Sequence, residues 1–178
     1  MDSIVKQALI KWPDVPNCYG WLGLDARGNW YLRDETVQAL GSFSDGTMQC
    51  KGSLLRQQKL IAFIGRNYES DSQGRWFFQN GPQRVFVELE ITPLIWRVDP
   101  DFSVQDHVGR TASVKGSVLD ERGRLYLLTD IGFGLVHSMD MGYAANAVEQ
   151  GIWLPGELLC ADLPKRFSYV TSPQAWRC

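Results

Sequence analysis

The stretch WLGLDARGNWYLRDE at 21–35 returns as GSVLDERGRLYLLTD at 116–130, and a weaker echo, ESDSQGRWFFQNGPQRVFVELE, lies between them at 69–90. A recurring unit of this kind dictates local geometry before anything else. In the first copy Trp21, Leu22 and Leu24 lead into Asp25 and Gly28; in the last, Val118 and Leu119 lead into Asp120 and Gly123, and Gly74 holds the same place in the middle one. Glycine takes the positive φ that closes a tight turn, and an aspartate bonds to N–H groups of its own turn. The spacing Asp25, Gly28, Tyr31 matches Asp120, Gly123, Tyr126 without a gap. Segments 19–34 and 114–130 are therefore predicted as antiparallel hairpins with Gly28 and Gly123 at the turns. Turn chemistry accounts for the Asp and Arg of DARG and DERG without invoking a site.

Helical patterns surround the hairpins. Ile4, Val5, Ala8, Leu9 and Trp12 share one helical face, which Pro13 ends. Leu54, Ile61, Ile64 and Tyr68 fall at helical spacing, with Ser53 as N-cap and Gly65 or Asn67 as the stop. Met141, Ala144, Ala145 and Val148 form a third stripe, with Asp140 as N-cap and Gly151 as the stop. The run QRVFVELEI alternates Val85, Val87, Leu89 and Ile91 against Phe86, Glu88 and Glu90, a strand with one wet face. VDPDFS at 98–103 reads as a junction between lobes, RFSYV at 166–170 as a final strand, and the tail TSPQAWRC as loose. The expected architecture is α+β: two related lobes, 1–98 and 99–178, each a curved antiparallel sheet packed around a helix, within one compact unit.

At 178 residues, 44% hydrophobic, the chain is long enough for a real core. A formal charge of −2 argues against nucleic acid or an anionic membrane as partner. LIAFI at 60–64 is far too short to span a bilayer, and the N-terminal segment lacks the features of a secretory signal, so a cytoplasmic location is the default expectation. Cys18, Cys50, Cys160 and Cys178 are scattered, as expected of reduced thiols rather than of disulfides or a zinc site.

The order G-x-W-Y-L (28–32), a basic and apolar helix (54–64), G-x-W-F-F (74–78) and V-F-V-E-L-E-x-T-P (85–93) resembles a group of proteobacterial domains of unknown function. The second half, 114–170, is consistent with the same group. The resemblance implies a helix wrapped by strands, repeated in two subdomains, and a link to signalling. It implies no catalytic residues.

Chemistry must then be sought in the residues themselves. Phosphate-loop, G-x-S-x-G and H-E-x-x-H patterns are absent. Of the two histidines, His107 reads as an exposed loop residue. His137 reads as a structural histidine able to pair with Asp130 or Asp140. Cys18 reads as a small hydrophobe. Glu88 and Glu90 share a strand face and would repel if buried, so both are expected to face water. Lys51, Arg56, Lys59 and Arg66 read as a solvated helix face. Trp30, Trp76 and Phe78 follow turn glycines, where side chains either seal a core or line a pocket. A pocket-lining Trp30 or Trp76 beside Arg27, Arg75 or Arg84 would bind a planar anion. The expectation is a non-catalytic ligand-binding or regulatory module with a small molecule or a protein as partner, without cofactor or catalytic metal. The alternative is a small enzyme with an acid–base site at His137 and Asp130.

Overall fold

The computed structural model describes residues 1–176, so the reading of Cys178 lies outside the described residues, while Cys18, Cys50 and Cys160 are not joined to one another by disulfides. The chain is α+β, with one six-stranded and one seven-stranded sheet. It divides into two compact units. One comprises Met1–Asp25, Asn29–Glu90 and the segment from Tyr169 onward; the other comprises Ala26–Gly28 and Ile91–Ser168.

The first unit holds β1 (Cys18–Leu24), β2 (Trp30–Leu32), β3 (Ser53–Leu54), β4 (Tyr68–Ser70), β5 (Trp76–Asn80) and β6 (Gln83–Leu89), ordered β3-β2-β1-β6-β5-β4. Within β1–β3 and within β4–β6 the pairing is antiparallel, and a parallel β1–β6 pairing joins the two triplets. The second unit holds β7 (Leu94–Val98), β8 (Val104–Asp106), β9 (Thr111–Ala112), β10 (Val114–Leu119), β11 (Leu125–Thr129), β12 (Phe133–Val136) and β13 (Gly156–Glu157), ordered β13-β10-β11-β12-β7-β8-β9. Again two antiparallel triplets are joined in parallel, here by β7–β12, and β13 adds in parallel to β10. The two sheets thus share one plan, β1–β6 answering strand for strand to β7–β12. In that plan the β10–β11 hairpin answers to β4–β5, and β1–β2 answers to β7–β8. The strongest sequence echo, 21–35 with 116–130, therefore links hairpins at different places in the plan.

The reason is that one turn is used five times. The closing pairs are Leu24↔Trp30, Ser70↔Trp76, Val98↔Val104, Gln105↔Thr111 and Leu119↔Leu125. Each is followed by an aspartate (Asp25, Asp71, Asp99, Asp106, Asp120) whose N–H donates to the carbonyl four residues on, at 2.9–3.0 Å. The residue three after each aspartate has a positive φ: Gly28 at 80°, Gly74 at 76°, Gly109 at 87°, Gly123 at 73° and Phe102 at 65°. Glycine adopts that conformation without the steric penalty other residues meet, so Phe102 sits in a strained position. The stretch 98–103, read as a lobe junction, is the β7–β8 turn. The QDHVGR loop is the β8–β9 turn, and His107 in it is half-buried rather than exposed, its Nδ1 accepting from Ile95 N–H at 3.3 Å.

Among the described residues, six helices accompany the sheets: α1 (Ser3–Lys11), α2 (Glu35–Leu40), α3 (Met48–Lys51), α4 (Gln58–Arg66), α5 (Met141–Glu149) and α6 (Leu163–Arg166). The face expected of α1 is buried only at Val5, with Ile4 70% and Trp12 52% exposed. Helix α4 starts at Gln58, not Ser53, because Ser53 and Leu54 pair with β2. On α4, Ile64 is buried, Ile61 only half-buried and Lys59 exposed. Helix α5 buries Ala144 and Ala147, small residues that let it pack closely, and leaves Ala145 exposed. Strand β6 has no wet face: Phe86, Val87, Glu88 and Leu89 are consecutively buried, because β6 is central and a 3-10 turn at Pro173–Trp176 lies against it. That turn also orders most of the tail expected to be loose. RFSYV is not a strand: Ser168 has φ 54°, and Val170 N–H donates to Gly74 at 3.0 Å.

Candidate functional site

Ionisable side chains in the turns are committed to the turns. Asp120 Oδ1 accepts the N–H groups of Arg122 and Arg124, both at 2.9 Å, and Oδ2 accepts Arg124 Nε and the Tyr126 hydroxyl, both at 2.8 Å. Burial alone would raise this carboxyl, but the Arg124 N–H, the Tyr126 hydroxyl and the Arg124 guanidinium together hold it below the usual range. Tyr126 is itself pushed up, first by burial and then by its bond to Asp120. Tyr31 stands in the same relation to Asp25 and is likewise raised, by burial first and by Asp25 next. This explains why the echo carries a tyrosine six residues after the aspartate. Arg75 closes on Asp71 and Arg110 on Asp106 in the same way.

His137 and Asp130 do not form an acid–base pair. Asp130 precedes β12 and His137 follows it, so a four-residue strand of roughly 13 Å, at about 3.3 Å per residue, separates them. Asp130 Oδ1 accepts from Ser113 N–H at 2.8 Å, and His137 Nδ1 accepts from Met139 N–H at 3.1 Å. Asp140, at the N-cap position of α5, does not cap it. Its carboxylate instead takes Arg97 Nε and Nη2 and the Val98 N–H, which hold it below the usual range, the Arg97 bond first. Among the described residues, no group of three or more His, Cys, Asp or Glu side chains is placed to hold a metal ion.

Trp30 and Trp76 are core residues, 1% and 9% exposed, packed on Tyr68 at ring distances of 5.1 and 4.8 Å. They therefore cannot present a stacking face to a planar ligand. Arg75 is bound to Asp71 and lies over the Phe86 ring at 4.8 Å; Arg84 lies over Phe77 at 4.7 Å. Of the arginines singled out from sequence, Arg27 has a different setting. It lines a cavity of about 320 Å³ together with Ala26, Ile91, Gly123, Arg124, Leu135, Val136, Ser138 and Met141. All of these residues belong to the second unit. Residues of two of the echoing turns, Ala26–Arg27 and Gly123–Arg124, thus wall a single space. Its lining is mostly apolar, with Ile91, Leu135, Val136 and Met141 beside the polar residues Arg27, Arg124 and Ser138. Arg124 is anchored there by Asp120 and by a 3.0 Å contact from Nη2 to Cys160 Sγ. Two further cavities line the region of β10 and β13: one of about 300 Å³ carries Asp120, Glu121 and Glu157, and one of about 250 Å³ runs along 114–117 and 152–154.

Sequence reasoning missed the buried charges of the first unit. Arg33, 1% exposed, donates to the carbonyls of Cys50 at 2.8 Å, Gly41 at 2.6 Å and Gly20 at 3.4 Å. It ties β1 to the ends of α2 and α3, and burial lowers its affinity for the proton. Glu88 is buried rather than facing water, accepting from Ser172 Oγ at 2.5 Å and Gln174 N–H at 3.0 Å, and burial raises its carboxyl. Glu90 pairs with Lys51 at 2.9 Å, so Lys51 is not part of a solvated face. Glu88 and Glu90 escape mutual repulsion because each has its own partners.

Three comparisons place the chain among known proteins. None of the curated proteins matches it. A solved structure with a similar chain path is a DUF1285 family protein from Silicibacter pomeroyi DSS-3, at 10% identity and a TM-score of 0.48, covering 73% of this chain and 69% of that one. The DUF2944 family model, described as "Protein of unknown function (DUF2946)", matches residues 1–174. With nearly its whole length matched, the chain belongs to the DUF2944 family.

Proposed function

We propose that the protein is a non-catalytic ligand-binding or regulatory module of the bacterial cytoplasm, built on a duplicated sheet plan, that captures a small molecule in the cavity lined by Arg27 and Arg124. The observation that carries this reading is the cavity itself. It is lined mostly by apolar residues with a few polar ones, and at about 320 Å³ falls at the small end of the range for small-molecule sites. The internal commitments of Asp71, Asp106, Asp120 and Asp140 support it, because each carboxylate serves structure. The resemblance to proteobacterial domains of unknown function, with the link to signalling that it implies, supports a regulatory output. Acid–base chemistry would need His137 and Asp130 brought together from opposite ends of β12.

A thermal-shift screen of a metabolite library against the wild type and Met141→Trp, which fills the cavity, tests the proposal. The expected result is at least one compound class that raises the melting temperature of the wild type, as mass action requires of a ligand binding only the folded state, and leaves Met141→Trp unmoved. A library that shifts neither protein, or shifts both equally, refutes it.

A further inference from the structure

The composition of the cavity wall also indicates what kind of molecule fits it. Among the described residues that line it, two are arginines, one is a serine and none is a carboxylate. A lining that combines apolar side chains with arginines suits a molecule with two unlike ends. From this we infer that the ligand is a small amphipathic monoanion: an apolar body of medium length carrying a single carboxylate. This inference rests on the reading of the cavity as a binding site.

Each part of such a molecule has a counterpart. The body lies over Ile91, Leu135, Val136 and Met141, where its transfer from water is favourable. The head meets Arg27, which is exposed at its turn tip, and Ser138, which is exposed just ahead of α5. A guanidinium fork binds a carboxylate through charge-assisted, often bidentate hydrogen bonds. Arg124 already carries the Asp120 carboxylate, 2.8 Å from its Nε, so a second full negative charge on the ligand would meet a cation whose charge is compensated. That favours a monoanion over a dianion. Its fixed guanidinium also braces the wall, since Asp120 and Cys160 hold it from two sides. At about 320 Å³ the cavity lies at the small end of the range for small-molecule sites, which favours an acyl or aryl carboxylate over larger anions.

Isothermal titration with octanoate, octanol and octyl phosphate, each against the wild type and Arg27→Gln, tests the assignment. Arg27 is exposed, so the substitution is expected to leave the protein folded, and its melting temperature is measured alongside. Octanoate is expected to bind saturably to the wild type, and Arg27→Gln to weaken it roughly ten- to hundredfold, the loss typical of a charge-assisted bond. Octanol should bind more weakly and be indifferent to the substitution. Octanol binding as tightly as octanoate would overturn the anionic head while leaving the cavity a binding site. Octanoate binding unchanged in Arg27→Gln would overturn the assignment of the head to Arg27. Octyl phosphate binding tenfold or more tighter than octanoate would overturn the monoanion. If none of the three binds, the inferred class is wrong, and the cavity reading itself falls only if the broader screen is also blank.

Discussion

Replacing Asp120 with alanine removes more than a turn residue. Its carboxylate holds four donors, and the losses differ with burial. The Tyr126 side chain is fully buried, so its hydroxyl would be left without the acceptor it has at 2.8 Å, at a cost of about 1–3 kcal/mol. The N–H groups of Arg122 and Arg124 lose their 2.9 Å bonds but sit in a part-exposed turn, where water replaces some of the loss, for about 1 kcal/mol between them. The pair with Arg124, whose side chain is 25% exposed, adds on the order of 0.5–1 kcal/mol after solvent screening. The sum is about 2.5–5 kcal/mol. Asp99 occupies the same place in the β7–β8 turn but is exposed and has no such tyrosine, so Asp99→Ala should cost only about 1 kcal/mol. Urea unfolding of both variants at neutral pH measures the difference, and a double-mutant cycle with Tyr126→Phe should return a coupling of about 1–2 kcal/mol. An Asp120→Ala loss below about 1 kcal/mol, or equal to that of Asp99→Ala, would show that the buried tyrosine bond does not set the value of this turn.

Three further outcomes follow from the packing and charge. Ile64→Ala should lose about 2–5 kcal/mol, whereas half-buried Ile61→Ala should lose less than half as much; equal losses in thermal or chemical unfolding would mean the α4 face is misassigned. Glu88 has its folded carboxyl raised by burial, so the folded state holds more protons than the unfolded chain as pH rises from about 4.3 through the folded value, and stability falls across that window; Glu88→Gln should flatten the fall in a pH series of unfolding curves. Gly134→Ala places a Cβ 2.3 Å from the Leu94 carbonyl across the β12–β7 pairing and should destabilise by at least about 2 kcal/mol, since that neighbour is backbone; unchanged stability would show that β12 and β7 are not so closely paired.

Local chemistry was legible from the sequence wherever it left a fixed spacing. Asp25, Gly28 and Tyr31, repeated at Asp120, Gly123 and Tyr126, give the hairpin register directly, since turn type and a positive-φ glycine determine pairing on either side. The Asp-to-Gly part of that spacing recurs at Asp106 and Gly109 without the tyrosine, and at Asp99 it is hidden because Phe102 stands where the others have glycine. The parallel joins β1–β6 and β7–β12 had no local signal, because they pair the first and last strands of each triplet pair. For the same reason the alternation along β6 suggests a wet face: it cannot show that a segment 84 residues away, at Ser172, covers Glu88. Arg27 was picked out by its turn, but the cavity walls it shares with Arg124 and Ser138 come from separate stretches of chain that only the fold assembles. Trp30 and Trp76 went the other way, since nothing in their spacing distinguishes a sealing aromatic from a stacking one.

Amide chemical-shift mapping on isotope-labelled protein during an octanoate titration tests the central claim most directly. The account predicts progressive, saturable shifts concentrated at Ala26, Arg27, Gly123, Arg124, Leu135, Val136, Ser138 and Met141, the residues that wall the cavity. Saturable shifts confined instead to 114–117 with 152–154, or to 119–121 with 157–159, would contradict it and move the binding site to the cavity at those residues.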